Sequence, residues 1–166
     1  MKKILILSAT SRSNLKLAKE IAALAPTGVE VEIQVLEDID LPLYSPKVEA
    51  DGVPAAALAL SQSLQSVGAF ILVAPEYNGS IPPVVNNAIA WISRCSKEWR
   101  ASFSDKFAAV ATMSGGGGHK VVQAMRTQLE HLGTTVHSHG LVCTSQKGLN
   151  PDSAKKIMSD LTKWIS

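Results

Sequence analysis

Three short stretches of this 166-residue chain carry groups suited to gripping a ligand rather than to breaking a bond. The first, Ser8-Ala9-Thr10-Ser11-Arg12-Ser13-Asn14, sets four hydroxyls, a guanidinium and an amide just ahead of a helical pattern. A helix N-terminus presents unpaired N–H groups and partial positive charge, and a guanidinium adds a charge-assisted contact. Thr10, Arg12, Ser13 and Asn14 therefore read as a phosphate cradle; an ordinary N-cap needs one hydroxyl, not four. In the second, Pro75-Glu76-Tyr77-Asn78-Gly79-Ser80-Ile81-Pro82, Asn78 and Gly79 supply a turn able to take positive φ, and Pro82-Pro83 can open a helix. Exposed amides beside the Tyr77 ring suit a flat, hydrogen-bonding heterocycle. In the third, Ser114-Gly115-Gly116-Gly117-Gly118, the glycines permit close backbone approach to something flat, or form a plain flexible turn.

Acids and bases are scarce in these stretches. Glu76 is their single carboxylate, so a paired-carboxylate mechanism lacks its second member. No G-x-S-x-G elbow supports Ser-His-Asp catalysis. Hydroxyls, amides and glycines without a reactive pair imply that a bound cofactor carries the chemistry, with no catalytic side chain.

Other familiar sites are excluded by spacing. The first turn lacks G-x-G-x-x-G, which argues against a nicotinamide dinucleotide held in Rossmann fashion. Gly115-Gly116-Gly117-Gly118-His119-Lys120 resembles a nucleotide-binding P-loop, but His119 stands where glycine should precede the lysine, and Val121 where a hydroxyl should hold magnesium. His137, His139 and Cys143 share a strand-like segment without a fourth ligand, so no metal site is expected. Sixteen basic and fourteen acidic side chains give a net charge of +2 with no basic run, which removes the footprint of nucleic-acid binding. The apolar run after Lys2-Lys3 breaks at Ser8, and nothing approaches the roughly 20 apolar residues that span a bilayer. Cys95 and Cys143, far apart, fit free thiols in a reducing cytoplasm.

The elements that must position these stretches follow from periodicity. Residues 3–8 form a continuous apolar run, the pattern of a central strand covered on both faces. Leu17, Ala18, Ile21, Ala22 and Leu24 recur at helical spacing, and residues 29–36 alternate as a strand with one wet face, at an edge. Residues 37–53 have no periodicity and make a long connection of the functional or mobile kind. A helix over 54–67, a strand over 69–74, a helix over 82–96, a strand over 107–113, a helix closed by Gly133, strand-like ends within 134–144 and a terminal helix over 151–165 complete the series. In the helix over 82–96, Val84, Val85, Ala88, Ile89, Trp91 and Ile92 make an apolar surface too broad for one contact, which suggests a second one, such as another subunit. In the terminal helix Ile157, Leu161, Trp164 and Ile165 are expected to face inward.

Alternation of five strands with five helices in one domain, residues 1–166, demands a parallel sheet with helices on both faces. In the order 2-1-3-4-5 the strand order reverses between strands one and three, and ligands sit beyond the carboxyl ends there. The three stretches above follow strands one, three and four.

With residues 75–82, the following Asn87, Ala88 and Trp91, the Ser114 glycine loop and Leu41-Pro42-Leu43-Tyr44, the chain resembles the NAD(P)H-dependent FMN reductase family across essentially its whole length. These are flavodoxin-like three-layer α/β sandwiches that include quinone, azo and chromate reductases. The resemblance implies FMN as cofactor, NADPH or NADH as hydride donor, and a small-molecule electron acceptor such as a quinone or free flavin. It implies Thr10, Arg12, Ser13 and Asn14 at the FMN phosphate, Pro75, Glu76, Tyr77, Asn78 and Gly79 along the isoalloxazine edge, and Ser114, Gly115, Gly116 and Gly117 near the ring's other side. Two departures stand out. The first loop has Ala9-Thr10 where the family usually has Gly-Ser and is shorter before Asn14, which implies rearranged phosphate contacts. Asn86 and Ala90 replace a Lys and an Asp frequent where subunits meet; the resemblance and the broad apolar helix still imply a homodimer, and a tetramer is left open. Two alternatives remain open at this point, a flavodoxin-type electron carrier and a flavin-free relative; the slight basicity of the chain argues against the carrier.

Overall fold

The computed structural model describes residues 1–165. Strand β1 (Lys2–Ser8) alternates its apolar side chains between two cores. Ile4 and Ile6 point to one face, Leu5 and Leu7 to the other, all almost completely buried. Strand β3 (Ala69–Val73) repeats the division, with Ile71 and Val73 on the first face and Phe70 and Leu72 on the second. Strand β4 (Phe107–Ser114) does so with small residues, Ala109 and Ala111 against Ala108 and Val110. Each fully buried aliphatic side chain contributes about 1.5–3 kcal/mol relative to exposure, so a strand apolar on both faces is stable only under cover on both sides.

That cover comes from helices α1 (Ser13–Ala22) and α6 (Pro151–Trp164) on the first face and α3 (Ala55–Gln65), α4 (Pro83–Ile92) and α5 (His119–His131) on the second. Strand β2 (Val29–Val35) lies at the edge, and the sheet runs β2-β1-β3-β4-β5 with every pairing parallel. This is the expected order, with the reversal between β1 and β3.

The fifth strand is divided. Strand β5 (Thr135–Val136) pairs with Phe107 and Ala108, and β6 (Leu141–Thr144) pairs further along the same edge of β4, from Ala111 to Ser114. Between them His137 turns its ring into local bonds, Nδ1 accepting from the His139 N–H at 3.1 Å and Nε2 meeting Asp160 Oδ2 at 3.2 Å. The ladder resumes at Leu141, just past Gly140, where a Cβ would lie 2.6 Å from Val122 Cγ1.

One packing expectation is met within the chain and another needs correction. The broad apolar surface of α4 finds its second contact within the chain. Asn87 Nδ2 donates to the carbonyls of Leu41 and Pro42, its Oδ1 accepts from the Tyr44 N–H, and Trp91 Nε1 donates to the Pro42 carbonyl at 2.7 Å. The Tyr44 ring meets Trp91 edge-on at 5.3 Å, and Trp91 is fully buried. The long connection is thus a strap across α4, and it includes a short helix α2 (Pro46–Glu49) capped by the Ser45 hydroxyl. Trp164 does not face inward: it is 40% exposed, lying against Phe107 at the start of β4 and against the His137 ring. It belongs to the last turn of α6, where the sheet offers only its margin.

Candidate functional site

At the carboxyl ends of β1, β3 and β4 a cleft of about 350 Å³ is lined by Thr10, Arg12, Ser13, Asn14, Glu37, Pro75, Glu76, Tyr77, Met113, Ser114 and Gly115. It lies across the point where the strand order reverses, where this fold leaves room between diverging connections. Main-chain bonds carry the ladder into the turns that form it: Ala9 N–H donates to the Val73 carbonyl, Ala74 N–H to the Ala111 carbonyl and Leu36 N–H to the Ser8 carbonyl.

The loop after β1 sorts its polar groups into distinct roles. Ser8 is buried, and its hydroxyl donates to the Thr10 carbonyl, so it stiffens the turn rather than facing the cleft. Ser11 presents both its N–H and its hydroxyl to one oxygen of Glu37, each at 2.8 Å. Asn14 is fully buried and clamps the loop to β4: Nδ2 donates to the Met113 carbonyl at 3.0 Å and Oδ1 accepts the Met113 N–H at 2.9 Å. Thr10, Arg12 and Ser13 remain on the cleft wall. Helix α1 starts with Arg12 at its N-cap position, and no side chain among the described residues caps it. Its first-turn amides therefore keep the donors and partial positive charge that attract an anion.

The turn after β3 is set by backbone geometry. Asn78 and Gly79 both adopt positive φ, 51° and 77°, and Tyr77 and Ser80 exchange main-chain hydrogen bonds at 3.0 Å. This is the two-residue hairpin pattern that Asn-Gly favours. The turn holds the Tyr77 ring half in solvent at the cleft wall, at 50% exposure. Glu76 accepts from the Val121 N–H at 3.3 Å, so its carboxylate serves the first turn of α5 and ties this turn to the glycine loop.

The four glycines after β4 differ among themselves. Gly118 has φ 71°, and a Cβ there would meet Thr112 Cγ2 at 2.8 Å, so the chain's own packing requires glycine. A Cβ on Gly115, Gly116 or Gly117 would meet nothing within 4 Å. Ser114 Oγ accepts from the Gly116 N–H and shapes the beginning of the run. The open space beside Gly115, on the cleft wall, leaves main chain accessible to a flat partner.

Of the residues singled out from sequence, Thr10, Arg12, Ser13, Asn14, Pro75, Glu76, Tyr77, Ser114 and Gly115 converge on the cleft, while Asn78, Gly79, Gly116 and Gly117 shape the turns beside it. Glu37 and Met113 line it without having been singled out. Glu37 had a signal in the topology: β1 and β2 pair in register through Ser8 and Val35, so the connections that follow must lie side by side. His137, His139 and Cys143 line a separate cavity beside β6 and α6. Among the described residues no group of three His, Cys, Asp or Glu side chains is placed to hold a metal ion.

A parallel sheet of this order, covered on both faces and cleft at its reversal point, defines a flavodoxin-like α/β protein. The sequence model of the NADPH-dependent FMN reductase family matches residues 2–148, and the chain belongs to that family. It is 35% identical over 121 residues to a quinone reductase of Pseudomonas putida, covering 72% of this chain and 63% of that protein. It is 34% identical over 117 residues to an NAD(P)H-dependent FMN reductase of Pseudomonas aeruginosa, covering 69% of this chain and 60% of that protein. The match thus spans less than two-thirds of the length of these relatives. Among solved structures, the flavoenzyme NAD(P)H:(acceptor) oxidoreductase FerB of Paracoccus denitrificans superposes with a TM-score of 0.78 at 25% identity, covering 99% of this chain and 97% of that one. An FMN-dependent NADH-azoreductase of Bacillus anthracis, solved in complex with FMN, shares the fold with a TM-score of 0.70 at 15% identity, covering 98% of this chain and 100% of that one.

Proposed function

We propose that the cleft binds FMN and that the protein is an FMN-dependent oxidoreductase, taking a hydride from NADPH or NADH and reducing a quinone, free flavin or similar small acceptor. The observation that carries this reading is the convergence of three chemically different walls on one cleft: an uncapped helix start with Arg12, a half-exposed Tyr77 on a rigid turn, and open main chain at Gly115. The donor set suits a phosphate at one end and a flat ring at the other. FMN, when bound, supplies the hydride and electron chemistry.

The chain's own residues hold and orient. Thr10, Arg12, Ser13 and the first-turn amides of α1 would hold the phosphate, while Asn14 keeps their loop in place through Met113. Pro75, Glu76 and Tyr77 would flank the ring edge, with Asn78 and Gly79 fixing the turn that presents them. Ser114, Gly115, Gly116 and Gly117 would border its other side. Glu76, engaged at the start of α5, is not required as an acid or base.

This reading extends to assembly and place. A homodimer is supported by Leu43, 78% exposed on the strap over α4, and by a groove in which it joins Leu36, Leu41, Pro83 and Val84. A cytoplasmic location is supported by Cys95 and Cys143, both free thiols. Among the described residues no helix is long and apolar enough to cross a membrane.

The test is turnover by the purified chain. Loaded with FMN and given a quinone, it should consume NADPH or NADH steadily without a partner protein. Flavin binding without nicotinamide consumption would assign it as an electron carrier instead.

A further inference from the structure

The loop after β1 already holds an anion, and that anion belongs to the chain. Glu37 Oε2 accepts the N–H and the hydroxyl of Ser11, both at 2.8 Å, and the same side chain lines the cleft with Thr10, Arg12 and Ser13. Two donors meeting on one anionic oxygen is an arrangement that a phosphate oxygen can equally occupy. The Ser11 amide and hydroxyl, with a smaller contribution from the charge of Arg12, hold the Glu37 carboxyl below the usual carboxylate range. Its carboxylate shares the cleft wall with the Arg12 guanidinium that would meet a phosphate.

A phosphomonoester carries close to two negative charges and cannot share the Ser11 donors with a carboxylate. Glu37 is exposed to solvent, so its carboxylate can exchange the Ser11 donors for water. We propose that Glu37 sets the affinity of the loop for phosphate-bearing ligands: its carboxylate holds the donors of Ser11 and is displaced when a phosphomonoester takes them. The proposal rests on the FMN reading of the cleft and adds a determinant that discriminates by phosphate, leaving recognition of the ring untouched. Ser11 stands between Thr10 and Arg12 and points its donors toward the connection after β2, so the contact lies within the proposed phosphate loop.

The test compares FMN with riboflavin, which has the same ring and no phosphate, on the wild type, Glu37→Gln and Glu37→Ala, by quenching of flavin fluorescence. Glu37→Gln keeps an acceptor for Ser11 but removes the charge. It should tighten FMN by about twofold to fivefold, the scale of an exposed ionic contact, and leave riboflavin affinity unchanged. A ratio of FMN to riboflavin affinity that stays the same in both variants, or falls, overturns the proposal while leaving the FMN reading intact. A wild type that binds neither flavin overturns both. As an independent readout, inorganic phosphate titrated against the Ser11 amide resonance should shift it at lower concentration in Glu37→Gln than in wild type, and equal concentrations count against displacement.

Discussion

Between β3 and α4 the chain turns on its own main chain, Tyr77 and Ser80 closing the turn while Asn78 and Gly79 take left-handed geometry. Between β1 and α1 it is held by side chains: Glu37 from beyond β2 grips Ser11, and Asn14 reaches across to Met113 on β4. The two turns face each other across one cleft, yet they distribute their chemistry differently. A turn closed by backbone leaves the Tyr77 ring free to stand half in solvent, while Glu76 is engaged at the start of α5. A turn closed by side chains has fewer to offer, so Arg12, Thr10 and Ser13 are left to meet a ligand while Asn14 and Ser11 are engaged. The turn after β3 is thus fixed by its own main chain, whereas the turn after β1 depends on contacts made elsewhere in the fold.

The largest expected effect strikes the side-chain-built turn. Asn14→Ala removes both bonds to Met113 and leaves a buried N–H and carbonyl to find other partners, at a cost of about 2–3 kcal/mol. A lower denaturant midpoint at unchanged slope, together with weaker FMN binding, is the expected pair of results; a variant as stable as wild type would mean that the loop is held otherwise. Arg12→Ala should separate binding from stability. FMN affinity should fall by about 1.5–3 kcal/mol if the contact is charge-assisted, with riboflavin much less affected and the melting temperature preserved. Titrations in which both flavins weaken equally would move Arg12 away from the phosphate.

On the backbone-built turn, Gly79→Ala forces a Cβ into φ 77° without a severe clash, Lys120 Cδ lying at 3.4 Å. The expected loss is about 1 kcal/mol of stability, read by thermal melting, and the variant should weaken FMN and riboflavin to the same degree because it perturbs the ring wall. Selective loss of FMN would erase the distinction between the two turns. The smallest effect lies outside both. Lys156 and then His137 hold the Asp160 carboxyl down at about 2, below its ordinary value of 3.8. A depressed carboxyl contributes stability that is present above the unfolded value and is lost as pH falls through about 2. Asp160→Asn should flatten that part of the acid-denaturation curve without altering flavin binding at neutral pH.

The contrast also explains which parts were legible in the sequence. The turn after β3 could be read because its determinants are adjacent residues: a strand end, Asn-Gly and a helix-opening proline. The parallel sheet and its double cover followed from continuous apolar runs alternating with helical ones, whereas the strand order came with the flavodoxin-like fold class. Glu37 and Met113 were not legible as wall residues, because their proximity to Ser11 and Asn14 depends on strand neighbours and register rather than on any local pattern. The same holds for the strap over α4: residues 41–44 have no periodicity, and only the bonds from Asn87 and Trp91 reveal what covers the helix. Trp164 was misread because helical spacing gives a residue's face and not whether the sheet extends far enough to cover it. The four glycines looked equivalent in sequence, whereas packing against Thr112 and Val142 singles out Gly118.

The measurement that bears most directly on the account is an equilibrium titration of the purified wild-type chain with FMN and, in parallel, with riboflavin, followed by flavin fluorescence and the visible spectrum. A rigid ring wall facing a separate anion cradle predicts that both flavins are quenched and that FMN binds at least about tenfold more tightly, the worth of one charge-assisted contact. Equal affinity for the two would contradict a phosphate cradle at Arg12, and unquenched flavin in both titrations would contradict the cleft as a flavin site altogether.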